Sequence, residues 1–326
     1  MKQIALLLVL LTMISCDKEI KNTKLSGPVF GTSYHITYHS ETNFQKQFDS
    51  LFKVINNSMS TYQTDSDISK LNRNENTNVD AHFIKVFKAS MNIYNQTEGV
   101  FDPTIGAVVN AWDFGPGGKI ANLDSLKIDS LMLSVGLDKV KLVGNKIEKP
   151  QGAFIDFNAI AKGYGVDVIG EFLESKNIKD YLVEIGGEIR ARGKNQEKKS
   201  SWKVGIEMPH FDEEQSILEA IEIHDEAMAT SGTYRKFKID ENGNRYAHII
   251  DANTGYPSKT NILSISVIAE NCMIADGYAT AFKAMGIEKV KVFLKNHPEI
   301  KVFFIFENAE KKLETLTLNN FPKPNN

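Results

Sequence analysis

Residues 181–192 read YLVEIGGEIRAR. Aliphatic and β-branched residues flank a Gly-Gly step, so the segment is a strand broken at Gly186-Gly187. A β-bulge accounts for the pair, and so does the close approach of another chain or a phosphate to bare backbone. Other strands lie on both sides of it. His35, Thr37 and His39 alternate with Tyr34, Ile36 and Tyr38, a period of two that predicts a strand over 33–39. Trp202–Glu207, 218–223, 247–250, 263–269 and 301–307 read the same way. Helical spacing of apolar residues marks 44–57 and 81–96, and helices are also expected over 158–175 and 275–285. The Gly/Pro-rich 113–121 is a loop, and 322–326 frays. Strands and helices mix without strict alternation, and several strand pairs are close enough to be hairpins. The expected class is therefore α+β with mainly antiparallel sheet and packed helices, not a doubly wound parallel sheet.

The 326 residues carry 38 basic and 41 acidic side chains, a formal charge of −3. That balance argues against nucleic acid as a partner. Two cysteines cannot build a disulfide framework or a four-cysteine zinc site. The chain begins with Lys2 and the apolar run IALLLVLL, too short to span a bilayer and shaped like an export signal. Met13-Ile14-Ser15-Cys16 resembles a bacterial lipobox, with Met13 where Leu is usual. The expected organisation is a lipoprotein signal peptide at 1–15, a lipidated Cys16 and tether at 16–26, one domain over 27–320 and a tail at 321–326. Such a protein is exported and held by its lipid to a bacterial membrane, facing the periplasm. A plain signal peptide with an incidental cysteine is the alternative. Cys272, in an apolar stretch, reads as a core or helix-start residue.

Several familiar motifs fail. Gly163, Gly165 and Gly170 lack dinucleotide-fingerprint spacing, and no P-loop or HExxH is present. His35 and His39 share a strand face, but neither has a Cys or His partner nearby, so they read as a solvated or packed pair rather than a metal site. Other stretches carry more polar and glycine chemistry than packing needs. They are Met59-Ser60-Thr61-Tyr62, Phe101-Asp102-Pro103-Thr104, Asp156-Phe157-Asn158-Ala159-Ile160-Ala161-Lys162-Gly163, Gly186-Gly187-Glu188, Ala229–Arg235, His248–Asp251 and Ala275–Thr280. Asp276 and Thr280, four apart, would share a helix face and offer oxygen ligands to Mg²⁺. The same pair also suits an N-cap and a half-buried helix residue. His248, in a strand beside a turn, is a candidate general base or a packing residue. Arg235, with Ser231 and Thr233, could hold a phosphate or make a surface ion pair.

In this order, from about Gly27 to Phe306, the stretches resemble the ApbE family of FAD:protein FMN transferases. The resemblance implies an α+β fold of two T-fold-like units in tandem. It implies FAD as substrate, Mg²⁺ as cofactor, and transfer of FMN to a Thr or Ser hydroxyl of an acceptor protein with release of AMP. The metal would be held by the Ala159 carbonyl, the Asp276 carboxylate and the Thr280 hydroxyl. FAD would contact Phe30, Tyr62, Val100, Phe101, Asp102, Asp156, Lys162 and Ile250, and His248 would deprotonate the acceptor. Phe30 replaces a usual Met, and Ala252 a usual Pro, which loosens a turn. Acceptors would be subunits of membrane electron-transfer complexes of the ion-pumping NADH:quinone reductase type. Two other readings stay open. A Mg²⁺-dependent FAD pyrophosphatase would use the same site with water as nucleophile. A non-enzymatic FAD-binding lipoprotein would not need Asp276, Thr280 and His248.

Overall fold

The computed structural model describes residues 20–210, 212, 214, 216–233, 237–239 and 245–323; Cys16 and Arg235 lie outside them. In chain order the elements are β1 (Asn22–Val29), β2 (Thr32–His39), α1 (Gln45–Met59), α2 (Asp67–Asn72), α3 (Ala81–Gln96), α4 (Gly106–Ala111) and α5 (Ser125–Met132). Then come β3 (Lys141–Val143), β4 (Lys146–Glu148), α6 (Ala161–Ser175), β5 (Tyr181–Ile185), β6 (Glu188–Arg192), β7 (Trp202–Glu207) and β8 (Ile217–Ile223). The chain continues through β9 (Ala227–Gly232), β10 (Phe237–Ile239), β11 (Arg245–Ala247), β12 (Ile262–Ala269), α7 (Cys272–Met285), α8 (Ile287–Leu294), β13 (Lys301–Glu307) and β14 (Leu313–Leu318).

Eight strands form one sheet in the order β1-β2-β5-β6-β9-β12-β13-β14, with every neighbouring pair antiparallel. This is the expected α+β architecture. The sheet has two four-stranded halves, joined where β6 meets β9 through only Ile189↔Met228 and Arg190↔Ala227. Helices α1, α3 and α6 lie in sequence between β2 and β5, and α7 and α8 between β12 and β13. That repeated order matches the expectation of two tandem units.

Period-two patterning sets the layers. On β12, Ile265 and Val267 join the helix-side core, while Ile268 joins a second core under the β7–β8 ribbon. Both faces of β12 are therefore covered. On β2 only Tyr34, Ile36 and Tyr38 are buried, and the histidines face outward. His35 pairs with Glu184 at 2.7 Å and His39 with Asn22 at 3.1 Å, a surface pair and a strand-edge contact. Helix α1 buries Phe48, Phe52, Ile55 and Met59 at helical spacing. Asp80 caps α3 and Asn271 caps α7 through side-chain bonds to the first turn.

Four expectations are corrected. Gly186-Gly187 is neither a bulge nor a mere break. Ile185 pairs with Glu188, so the two glycines are the whole turn of a β5–β6 hairpin, with φ of +61° and +103°. Residues 22–26 are not tether, because β1 begins at Asn22 opposite His39. The strand expected over 247–250 stops at Ala247; Ile250 makes only an isolated bridge to Pro257. Asp276 is not a cap, since α7 starts earlier, at Cys272.

Candidate active site

The cleft of about 1160 Å³ opens where the two halves of the sheet meet, and its lining includes the junction pair Ile189 and Met228. Two turns form one rim. Phe30-Gly31 closes the β1–β2 hairpin with positive φ at both residues, and the Gly186-Gly187 turn lies beside it, its Gly186 N–H donating to the Ser33 carbonyl at 3.0 Å. The Gly187 N–H donates to Glu184 Oε1 at 2.6 Å. Both turn amides are thus spent inside the protein, so the glycines serve the turn and offer no amide nest to a phosphate. Phe30 packs edge-on to Phe52, and its ring occupies the place a side chain at Gly165 would fill.

The floor comes from α6 and α7. A Cβ on Gly163 would lie 2.3 Å from the Cys272 carbonyl oxygen, so glycine is what lets the helices touch. In an uninterrupted helix the Gly163 N–H would bond the Ala159 carbonyl. Here it donates to Asp276 Oδ2 at 3.0 Å, and no hydrogen bond among the described residues claims the Ala159 oxygen. One turn along α7, the Thr280 hydroxyl lies 3.3 Å from Ser231 Oγ on β9. Ala159, Asp276 and Thr280 all line the cleft, and between them they can offer a carbonyl, a carboxylate and a hydroxyl oxygen. Three oxygen donors, one charged, fit a hard divalent cation that keeps water or phosphate as its other ligands. Burial raises the pKa of Asp276, which the Lys162 charge and the Gly163 N–H oppose. A carboxylate kept dry in this way gains from a nearby cation.

Lys162, in the first turn of α6, meets Glu188 Oε2 at 2.6 Å. Burial works to discharge the lysine, but the Glu188 and Asp276 carboxylates outweigh it and raise its pKa. Glu188 is itself raised by burial and by Asp276, with Lys162 opposing.

His248 stands just past β11, with its ring 6.2 Å from that of Phe114. Trp112 and Phe114 pack on Tyr246, and Trp112 Nε1 donates to the Gly255 carbonyl at 2.9 Å. The following turn closes through Asp251 N–H to Tyr256 O and Gly255 N–H to Asp251 O, so Ala252 in place of proline leaves it intact. Asp102 is buried, and both its carboxylate oxygens hold local structure: Thr104 donates to one and the Leu137 N–H to the other. Asp156 accepts from the backbone and side chain of Asn158.

The structure brings Phe30, Tyr62, Val100, Phe101, Asp102, Asp156, Ala159, Lys162, Ser231, His248, Ile250, Asp276 and Thr280 to this one cleft. Cys272 is buried at the start of α7, and burial pushes its thiol well up, so it stays protonated and inert. Sequence reasoning did not assign roles to Glu184, Glu188 and Glu207, which also line the cleft. The Gly-Gly-Glu run was the available signal for Glu188.

The fold and site define a class: an antiparallel α+β protein whose cleft, between two like sheet halves, gathers oxygen ligands, a buried ion pair and a histidine. Within that class the chain belongs to the ApbE family, which it matches over residues 30–304. FAD:protein FMN transferase of Haemophilus influenzae is 37% identical over 318 residues, covering 92% of this chain and 91% of that one. The solved flavin transferase ApbE of Vibrio cholerae superposes with a TM-score of 0.81 at 34% identity, covering 91% of this chain and 97% of that one. The apo flavinyl transferase ApbE of Pseudomonas stutzeri gives 0.81 at 26% identity, covering 91% and 95%.

Proposed function

We propose that the protein transfers FMN from FAD to a Thr or Ser hydroxyl of an acceptor protein, forming a phosphoester and releasing AMP. The observation that carries this reading is that Ala159, whose carbonyl no hydrogen bond among the described residues claims, lines the same cleft as Asp276 and Thr280, and that the cleft is large enough for a dinucleotide. These three would hold Mg²⁺, which when bound would neutralise charge on the pyrophosphate. Phosphoryl transfer asks mainly for positioning and charge neutralisation. Lys162 adds a fixed positive charge. Phe30, Val100 and Ile250 supply apolar surface for the flavin. His248 takes the proton of the acceptor hydroxyl, an alcohol too weakly acidic to ionise unaided. An exported, Cys16-anchored form would place the cleft near membrane electron-transfer subunits as acceptors.

The test is AMP release from FAD and Mg²⁺ with and without an acceptor. Release that requires the acceptor supports transfer. Release at the same rate without it identifies an FAD pyrophosphatase, and binding without release identifies a flavin store.

A further inference from the structure

Glu188 is the first residue after the Gly186-Gly187 turn. Its pairing with Ile185 places its side chain on the helix side of the sheet, as Arg190 two residues on reaches Asp167 of α6. Glu188 is 1% exposed, while the Lys162 side chain it holds at 2.6 Å is one-third exposed, at 33%. Both residues line the cleft, and Lys162 is the more exposed of the two, so the carboxylate reaches the cleft chiefly through the ammonium it holds. A buried carboxylate paired with a partly exposed ammonium is weak evidence of a stabilising role, because replacing a buried ion pair with apolar residues of similar volume is often neutral or stabilising. From this geometry we propose that Glu188 is a positioning residue, fixing the Lys162 ammonium so that its open side meets the pyrophosphate of FAD.

The inference rests on the transferase reading above. It separates from a purely structural role because its effect must run through Lys162. The upward shift of the Lys162 pKa agrees with it, since the same carboxylate keeps the ammonium charged.

The test is a double-mutant cycle of Glu188→Gln and Lys162→Met. It reads FMN transfer, AMP release, melting temperature and metal-free FAD binding by flavin fluorescence. A reacting group displaced by about 1 Å costs on the order of a hundredfold in rate. Glu188→Gln is expected to lower kcat by about tenfold or more while the KM for FAD and the binding constant stay within about threefold. In the Lys162→Met background the same change is expected to move kcat by less than about twofold. An equal loss in both backgrounds overturns the proposal, as does Glu188→Gln activity within about twofold of wild type. Glu188→Asp keeps both charges and withdraws the carboxylate by one methylene. It is expected to lower kcat as well, and it decides the matter if Lys162→Met does not fold; a wild-type kcat there overturns the proposal. Wild-type protein without transfer or AMP release would instead refute the parent reading.

Discussion

Asp276 is a buried carboxylate that, among the described residues, accepts only the Gly163 N–H as a hydrogen bond. Asp276→Ala is expected to cut metal-dependent AMP release by about a hundredfold or more, since the metal would lose its one charged protein ligand. Unchanged turnover in that variant contradicts the metal assignment. His248→Ala is expected to block transfer while FAD still binds; loss of FAD binding would make the residue structural. These residues were legible in sequence because their chemistry is local. Asp276 and Thr280 share a face by helical arithmetic alone, and a histidine beside a turn is visible as such. Glu188 was harder, because a glutamate's burial depends on a partner 26 positions away on another element, here Lys162. The freed Ala159 oxygen was out of reach of spacing arguments too, since it depends on where α6 begins and on which acceptor Gly163 selects.

At the scale of elements, the contact of α6 with α7 decides whether the site exists. Gly163→Ala would drive a methyl into the Cys272 carbonyl and the Asp276 side chain. Such overpacking typically costs about 1–3 kcal/mol. A lowered melting temperature together with weakened metal dependence is expected; a wild-type melt would mean the helices can part freely. Element boundaries were legible where a pattern was strong and local. Helix α3 and strand β13 fall on the expected residues, because amphipathic and alternating runs identify their own faces. The β5–β6 hairpin was not, because Gly-Gly tolerates both a bulge and a turn, and the choice depends on the pairing of β5 with β6. Strand β14 escaped because LETLTL is an exposed edge with little apolar signal. The β11 segment ended early because the 251–256 turn folds Ile250 back onto Pro257.

For the molecule as a whole, a net charge of −3 gives no general attraction for an anionic dinucleotide. Binding must come from the local groups at the junction of the two sheet halves. Stability carries a separate pH signature at Lys283. This lysine is 2% exposed, its hydrogen-bond partner is the Thr260 hydroxyl at 2.9 Å, and burial pushes its pKa down to about 8. Its folded value lies below its unfolded one, so the unfolded chain binds the extra proton between about pH 8 and 10.5. Stability should therefore rise with pH across that window, by on the order of 3 kcal/mol from this group. Lys283→Met is expected to abolish that rise and to raise the melting temperature at pH 7. A retained slope in the variant would assign it to other groups.

The most direct measurement is the intact mass of a purified acceptor protein after incubation with this protein, FAD and Mg²⁺. The account predicts a gain of one FMN on a Thr or Ser of the acceptor, matched mole for mole by AMP and absent with Asp276→Ala. An acceptor whose mass is unchanged while AMP accumulates would contradict it.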